Sequence, residues 1–350
     1  MTGHPRPRRS TAGPDLPLSR RRPMFPFVPL ALLLALTLLL SSALLVAGCG
    51  SGTASTETTA SPATTASTVA QPAEGTFPVT VTDDNGKSAT IKAKPMRIVS
   101  TAPANTWTLF ALGVGDRVVG TTSLPGEPPE AASIAKIGDF QANTEAIMAL
   151  SPDLVVGYSG NEEALAPVQA AGAPVLILNA MTLDQIYANI TTVGAATGAT
   201  GKAVEVVESI KAQIKAVTDV TSKLDSSPKV FFALDNTLWT AGPDSFVDEL
   251  IKLAGGTNIG SMSDTLAAGQ KYFQLTPEQL VAADPDIVLL PKSTYTKGIE
   301  EFTGDPRFAG MSAVKSGQVF IVDDVPITQP GIHVGEGLKT LAKAIHPEAF

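Results

Sequence analysis

The sequence predicts an α/β protein: two lobes with mainly parallel sheets, joined by a single long helix. Three observations carry this. Short β-branched runs alternate with stretches of helical length, as βαβ units on a parallel sheet require. The alternation pauses at residues 200–224 for one uninterrupted amphipathic segment. One sequence unit occurs twice, once on each side of that pause. Lobes of this kind are Rossmann-like.

The folded part is expected to start near Phe77. Val79-Thr80-Val81-Thr82 and Ala89-Thr90-Ile91 flank Asn85-Gly86, a type I′ hairpin signal. Strands are predicted at Ile98-Val99, Val118-Val119, Leu154-Val155-Val156 and 175–178, with helices over 105–112, 143–150 and 162–171. The long helix is predicted over 200–224. Val207, Ile210, Ile214, Val217 and Leu224 recur at helical spacing on one face, Glu205, Glu208, Lys211, Lys215 and Lys223 occupy the other, and Pro228 stops it. About 25 helical residues span about 40 Å, the width of a small lobe pair. Strands resume at 230–234, 287–290 and 319–322. The first lobe is therefore expected over 77–199, the linking helix over 200–227 and the second lobe over 228–350. The repeated unit supports a pseudo-symmetric pair. Glu145 leads Pro152-Asp153-Leu154-Val155-Val156, and Glu278 leads Pro285-Asp286-Ile287-Val288-Leu289 at the same spacing. In each, Pro-Asp ends a helix and a buried strand follows.

Residues 1–48 read as a secretory signal. Arg6, Arg8, Arg9, Arg20, Arg21 and Arg22 precede an apolar stretch over 25–47, which ends in Leu45-Val46-Ala47-Gly48-Cys49. A start at Met24 would remove those arginines, so the longer form from Met1 is preferred. Ser19-Arg20-Arg21 points toward twin-arginine export, although Pro23 and Met24 do not complete that pattern, so Sec and Tat export both stay open. Left uncleaved, the apolar run is long enough to span a membrane, which takes about 20 residues. Its basic flank would then stay in the cytoplasm and the remainder would be outside in either case. Residues 49–76 are rich in Ser, Thr and Ala. They bury too little apolar surface to offset their ordering entropy, and read as a disordered tether.

Composition excludes several functions. Hydrophobic content of 44% with 17% charged residues is that of a globular protein. The net charge of -8, with six arginines leaving in the signal, gives no basic patch for nucleic acid. No G-x-S-x-G, P-loop or glycine-rich dinucleotide turn is present, so no catalytic residue, no resident cofactor and no enzyme are expected. After the signal only His333 and His346 remain, too few for a zinc or manganese cluster.

Several segments in order carry a resemblance. Pro95-Met96-Arg97-Ile98-Val99-Ser100 is followed by Ala102-Pro103-Ala104-Asn105-Thr106, by FALGVGDRVVG over 110–120, and by Pro128-Pro129-Glu130. Ala254-Gly255-Gly256-Thr257-Asn258-Ile259, residues 313–323 and residues 336–347 complete the set. Together, over about 79–347, they resemble the periplasmic binding proteins with a rigid linking helix that serve ABC importers of iron-siderophores, haem and vitamin B12. Cys49, the only cysteine, resembles the lipobox cysteine, whose thiol takes a diacylglycerol. The resemblance implies an extracytoplasmic, lipid-anchored monomer with a ligand cleft between two lobes that close little. It also implies that Glu145 and Glu278 dock on arginines of a permease coupled to an ATPase, one carboxylate per lobe giving register and charge complementarity.

A cleft for a large chelate wants aromatic walls and few polar anchors. The wall candidates are Asn105 and Trp107 after the first strand, Phe140 before the Glu145 helix and Tyr158 at a strand end. The second lobe offers Trp239, Tyr272, Phe273 and His333. Trp107 stands where the resembled family commonly carries an acidic residue after Asn-Thr. Each candidate has a plainer alternative: core packing for an aromatic, a solvated or capping role for His333, and a solvated helix face for the two glutamates. His333 would be an axial ligand only for haem. The expected cargo is an organic metal chelate, iron-siderophore first and a corrinoid such as vitamin B12 second. A surface sensor, or a haem binder uncoupled from transport, is the alternative.

Overall fold

The computed structural model describes residues 75–262 and 270–350. The signal, Cys49 and nearly all of the tether lie outside them.

The described chain opens with a hairpin of β1 (Val79–Thr82) and β2 (Ser88–Ile91), paired so that Thr82 meets Ser88. The expected two-residue type I′ turn is replaced by a wider loop. The Asp83 carboxylate accepts from the amides of Asn85 and Lys87, at 3.0 and 2.8 Å. Holding both amides widens the turn, and only Gly86 (φ 74°) adopts the left-handed conformation.

The first sheet is wholly parallel, in the order β5-β4-β3-β6-β7. Its strands are β3 (Ile98–Ser100), β4 (Val118–Thr121), β5 (Ala135–Lys136), β6 (Leu154–Tyr158) and β7 (Val175–Leu178). Helices α1 (Pro103–Ala111), α2 (Thr144–Ala149), α3 (Glu162–Ala170) and α4 (Leu183–Thr197) belong to this lobe, and α5 (Thr200–Thr221) links it to the next. The second lobe holds β8 (Lys229–Phe232), β9 (Trp239–Ala241), α6 (Phe246–Leu253), β10 (Thr257–Asn258), β11 (Tyr272–Gln274), α7 (Pro277–Ala283), β12 (Ile287–Pro291), β13 (Val319–Val322) and α8 (Val334–Ile345). Its main sheet is parallel, in the order β10-β8-β12-β13, and β9 pairs antiparallel with β11 beside it. Every residue of β7 and β12 is buried, as expected of parallel strands covered on both faces.

The two sheets share one topology. Strands β4-β3-β6-β7 and β10-β8-β12-β13 each run second, first, third, fourth in chain order. The repeated sequence unit forms the same corner in both lobes. Ser151 (φ 46°) and Asp284 (φ 43°) take the left-handed conformation directly before Pro152 and Pro285. The next residue, Asp153 or Asp286, accepts from the backbone at the start of the central strand: the Arg97 amide at 2.8 Å in one lobe, the Lys229 amide at 2.8 Å in the other. The same basic residue then reaches back over the preceding helix end. Arg97 Nε donates to the Leu150 carbonyl at 2.8 Å, and Lys229 Nζ donates to the Ala283 carbonyl at 3.0 Å.

The linking helix α5 has 22 residues and spans about 33 Å. It buries Ala203, Val207, Ile210 and Val217, and is gripped from both lobes. Gly194 of α4 lets Ala203 approach so closely that a Cβ there would lie 2.4 Å from the Ala203 Cβ. Gly335 of α8 does the same for Gln213, with 2.3 Å to its side-chain oxygen. The helix ends before residue 224 because the amides of Lys223 and Leu224 turn back tightly onto Val220 and Thr221. A further tie joins the lobes: Glu249 of α6 accepts from the Leu183 amide, the first of α4, at 3.3 Å. Burial pushes the Glu249 carboxyl up, and the nearby Asp184 charge adds to this against the Leu183 hydrogen bond.

Candidate ligand cleft

A cavity of about 330 Å³ lies at the carboxyl ends of the first lobe's strands and is closed on one side by the second lobe. Thr101 and Ala102 follow β3, Tyr158 and Ser159 end β6, and Leu178 and Ala180 end β7. The start of α1 and the Ile186, Asn189, Ile190 and Val193 face of α4 complete the first-lobe wall. Thr328, Gln329, Pro330 and Gly331 come from the second lobe. Ligands of open parallel sheets sit at this end of the strands. Among the described residues, no charged side chain lines the cavity.

Three of the residues expected on the wall are there. Asn105 lines the cavity while its Nδ2 donates to the Gly157 carbonyl at 3.0 Å, so the side chain is held in place before any ligand arrives. Tyr158 and Phe140 present exposed rings, Phe140 at 81% exposure. The Tyr158 amide is fixed by Thr101 Oγ1 at 2.9 Å.

The other candidates stand elsewhere. Trp107 does not line the cavity. Its Nε1 donates to the Gly126 carbonyl at 2.8 Å, and its ring meets His333 edge-on, with centroids 4.5 Å apart and planes at 89°. This contact crosses from α1 to the residue before α8, so both side chains join the lobes. His333 Nδ1 lies 3.4 Å from Glu336, while its Nε2 is buried and has no hydrogen-bond partner. His333 is not among the residues that line the cavity. Phe273 is a core residue, 5% exposed, packed with Phe231, Leu238 and Leu280 in the second lobe. Trp239 and Tyr272 lie on β9 and β11, in adjacent strands outside the cavity lining. Tyr272 is half-buried and packs against the main core. Burial pushes its phenol up, a backbone hydrogen bond from Phe246 opposes this, and the Tyr158 phenol of the other lobe is near enough to add to the rise.

Sequence reasoning missed the α4 face, the 328–331 segment and Asn161. The first two carry no distinctive residue type. Asn161 carried a signal: it precedes Glu162-Glu163 at the start of a helix, where Asn is a common cap.

The periplasmic binding protein family model matches residues 98–326. This chain belongs to that family. Members of the family are transport components and not enzymes. This periplasmic binding protein is 33% identical over 284 residues to the uncharacterized ABC transporter substrate-binding lipoprotein YvrC of Bacillus subtilis, a match covering 78% of this chain and 87% of the relative. It is 29% identical over 282 residues to a cobalamin-binding protein of Halobacterium salinarum, covering 77% and 74% of the two chains. Among solved structures, the periplasmic heme-binding protein RhuT from Roseiflexus sp. RS-1 superposes with a TM-score of 0.64 at 30% identity, covering 73% of this chain and 99% of that one.

Proposed function

We propose that this periplasmic binding protein captures a neutral metal chelate with an amide-rich periphery, a corrinoid before a ferric hydroxamate, and hands it to an ABC permease. The uncharged cavity lining carries this reading. An anionic catecholate, or the propionates of haem, would bury negative charge with no cation opposite, which is costly unless paired. Asn105, Asn189, Ser159 and Gln329 instead offer amides and hydroxyls to a ligand of the same kind. The ranking from sequence, with iron-siderophore first, is therefore reordered. The cobalamin-binding relative points the same way. A chelate larger than the cavity would extend along the open cleft.

For delivery, Glu145 and Glu278 occupy the first turns of α2 and α7, and both are exposed. Each has an exposed apolar residue one turn further on, Met148 and Val281. A matched acid and apolar pair on each lobe suits a two-fold partner with basic loops. Anchoring through a lipid on Cys49 is part of the same proposal.

Titration of intrinsic tryptophan fluorescence tests the ligand. Cyanocobalamin is expected to quench with the highest affinity, a neutral ferric hydroxamate more weakly, and haem least. Tightest binding by haem, or by a ferric catecholate, would reject the neutral-ligand reading.

A further inference from the structure

We propose that Asn161 is a positioning residue: its buried carboxamide ties the loop that carries Phe140 to the strand end that carries Tyr158, and holding these two ring-bearing backbones in register favours a flat, rigid macrocycle over a flexible chelate. The macrocycle preference rests on the cavity being the ligand site, as argued above. The staple itself rests on geometry alone.

Asn161 is 3% exposed. It occupies the residue before α3, where an Asn side chain ordinarily accepts from the helix amides, yet it makes no such bond. Its Oδ1 instead accepts from the Ala142 amide at 2.7 Å, and its Nδ2 donates to the Phe140 carbonyl at 3.5 Å. Its own amide donates to the Tyr158 carbonyl at 3.2 Å. One residue thus bonds to the backbone of both exposed rings of the wall. A cap stabilises a helix, so the side chain is committed to the loop at the expense of α3.

The loop it holds is otherwise closed on itself. Gly138 and Ala142 form an antiparallel bridge, and the Gly138 carbonyl accepts from the Ser123 amide at 2.8 Å and from its hydroxyl at 3.1 Å. Gly138 has φ 117°, and a Cβ there would meet the Gln141 carbonyl oxygen at 2.4 Å. Asn161 is the side chain that ties this closed loop to the end of β6. A ring left 81% exposed gains nothing from the folded protein itself. With its backbone held, it spends only its own rotamer entropy when a flat ligand covers it. A flexible chelate can adjust to a shifted ring, and a macrocycle cannot.

The test uses the protein without its signal, with cyanocobalamin as the rigid probe and a ferric trihydroxamate as the flexible one. Asn161→Ala is expected to weaken cyanocobalamin about tenfold, through faster release, and to change hydroxamate binding less than twofold. In the Phe140→Ala background the same change should add nothing. Amide exchange at Ala142 should accelerate in Asn161→Ala while β6 and β7 stay protected. Asn161→Asp, which keeps the acceptor, should retain that protection. Additive losses in the double variant, equal losses for both probes, or unchanged exchange at Ala142 would overturn the proposal. If the unaltered protein bound neither probe, the neutral-ligand reading and the macrocycle preference would both fall, and exchange at Ala142 would still decide the staple.

Discussion

Asp248 shows what this fold asks of a buried carboxylate. It is almost fully buried on α6 and accepts from Lys252 Nζ at 2.6 Å, Asn258 Nδ2 at 3.0 Å and the Asp244 amide at 3.1 Å, with the Ser261 hydroxyl as a fourth partner. Burial pushes its carboxyl up, but the hydrogen bonds from Lys252, Ser261 and Asn258 outweigh this and hold it below the usual 3.8. A lowered carboxyl means that the unfolded chain binds the proton first as the solution is acidified. The stabilisation from Asp248 is therefore present at neutral pH and fades as pH falls below 3.8 through the lowered value. Asp248→Ala removes the carboxylate that all four groups share, the buried Asn258 carboxamide among them, and should cost about 2 kcal/mol at pH 7. Urea denaturation at pH 7 and at pH 3 should show that gap narrowing in acid. At this scale the sequence was partly legible. Aromatic type, with a place before the Glu145 helix or at a strand end, pointed to Phe140 and Tyr158, which line the cavity. They could not separate wall from core at Tyr272 and Phe273: adjacent strand residues face opposite ways, so only one of the pair could have faced the cleft. Trp107 and His333 were unreadable for another reason, since each has the other lobe as its partner.

The elements that were legible are those with an unambiguous period. β6, β7, β12 and β13 are continuous apolar runs, and α5 carries a clean apolar stripe. The two-residue strands β5 and β10 have no period to read. The α4 segment was passed over although it supplies much of the cavity wall. Thr191, Thr192 and Gly194 dilute its stripe, and Gly194 is there for packing and not for helix propensity. That glycine decides how close the linking helix lies. On propensity alone, Gly194→Ala would stabilise a helix by about 1 kcal/mol. The added methyl would sit 2.4 Å from Ala203, and overpacking of this kind costs about 1–3 kcal/mol. The clash should win, so Gly194→Ala is expected to lower the melting temperature by several degrees. Gly194→Ala combined with Ala203→Gly should recover most of the loss. A rise in melting temperature for the single variant would mean that α4 and α5 are less tightly set than described.

For the whole molecule, the expectation of two related lobes on one stiff helix carried the most information, because a spacing repeated across 133 positions, from Glu145 to Glu278, survives where single motifs do not. The Trp107–His333 contact, the Glu249–Leu183 bond and the grip on α5 together oppose a wide opening. Under the proposed docking, delivery depends on presenting two fixed points. Glu145→Ala with Glu278→Ala is expected to leave chelate affinity within twofold and to reduce uptake by cells at least tenfold. Loss of chelate affinity in that variant would remove the docking role, as would full uptake. In the same assay Cys49→Ala should appear in the medium or unprocessed, and not as a membrane-held form.

The matched corners at Ser151-Pro152-Asp153 and Asp284-Pro285-Asp286 have a consequence beyond stability. Under the proposed docking, a courier whose left and right handles are near copies could be turned end for end and still present an acid and a greasy knob to each half of a two-fold dock. Each collision would then have two acceptable landings, and cargo would be offered to the dock in either of two headings.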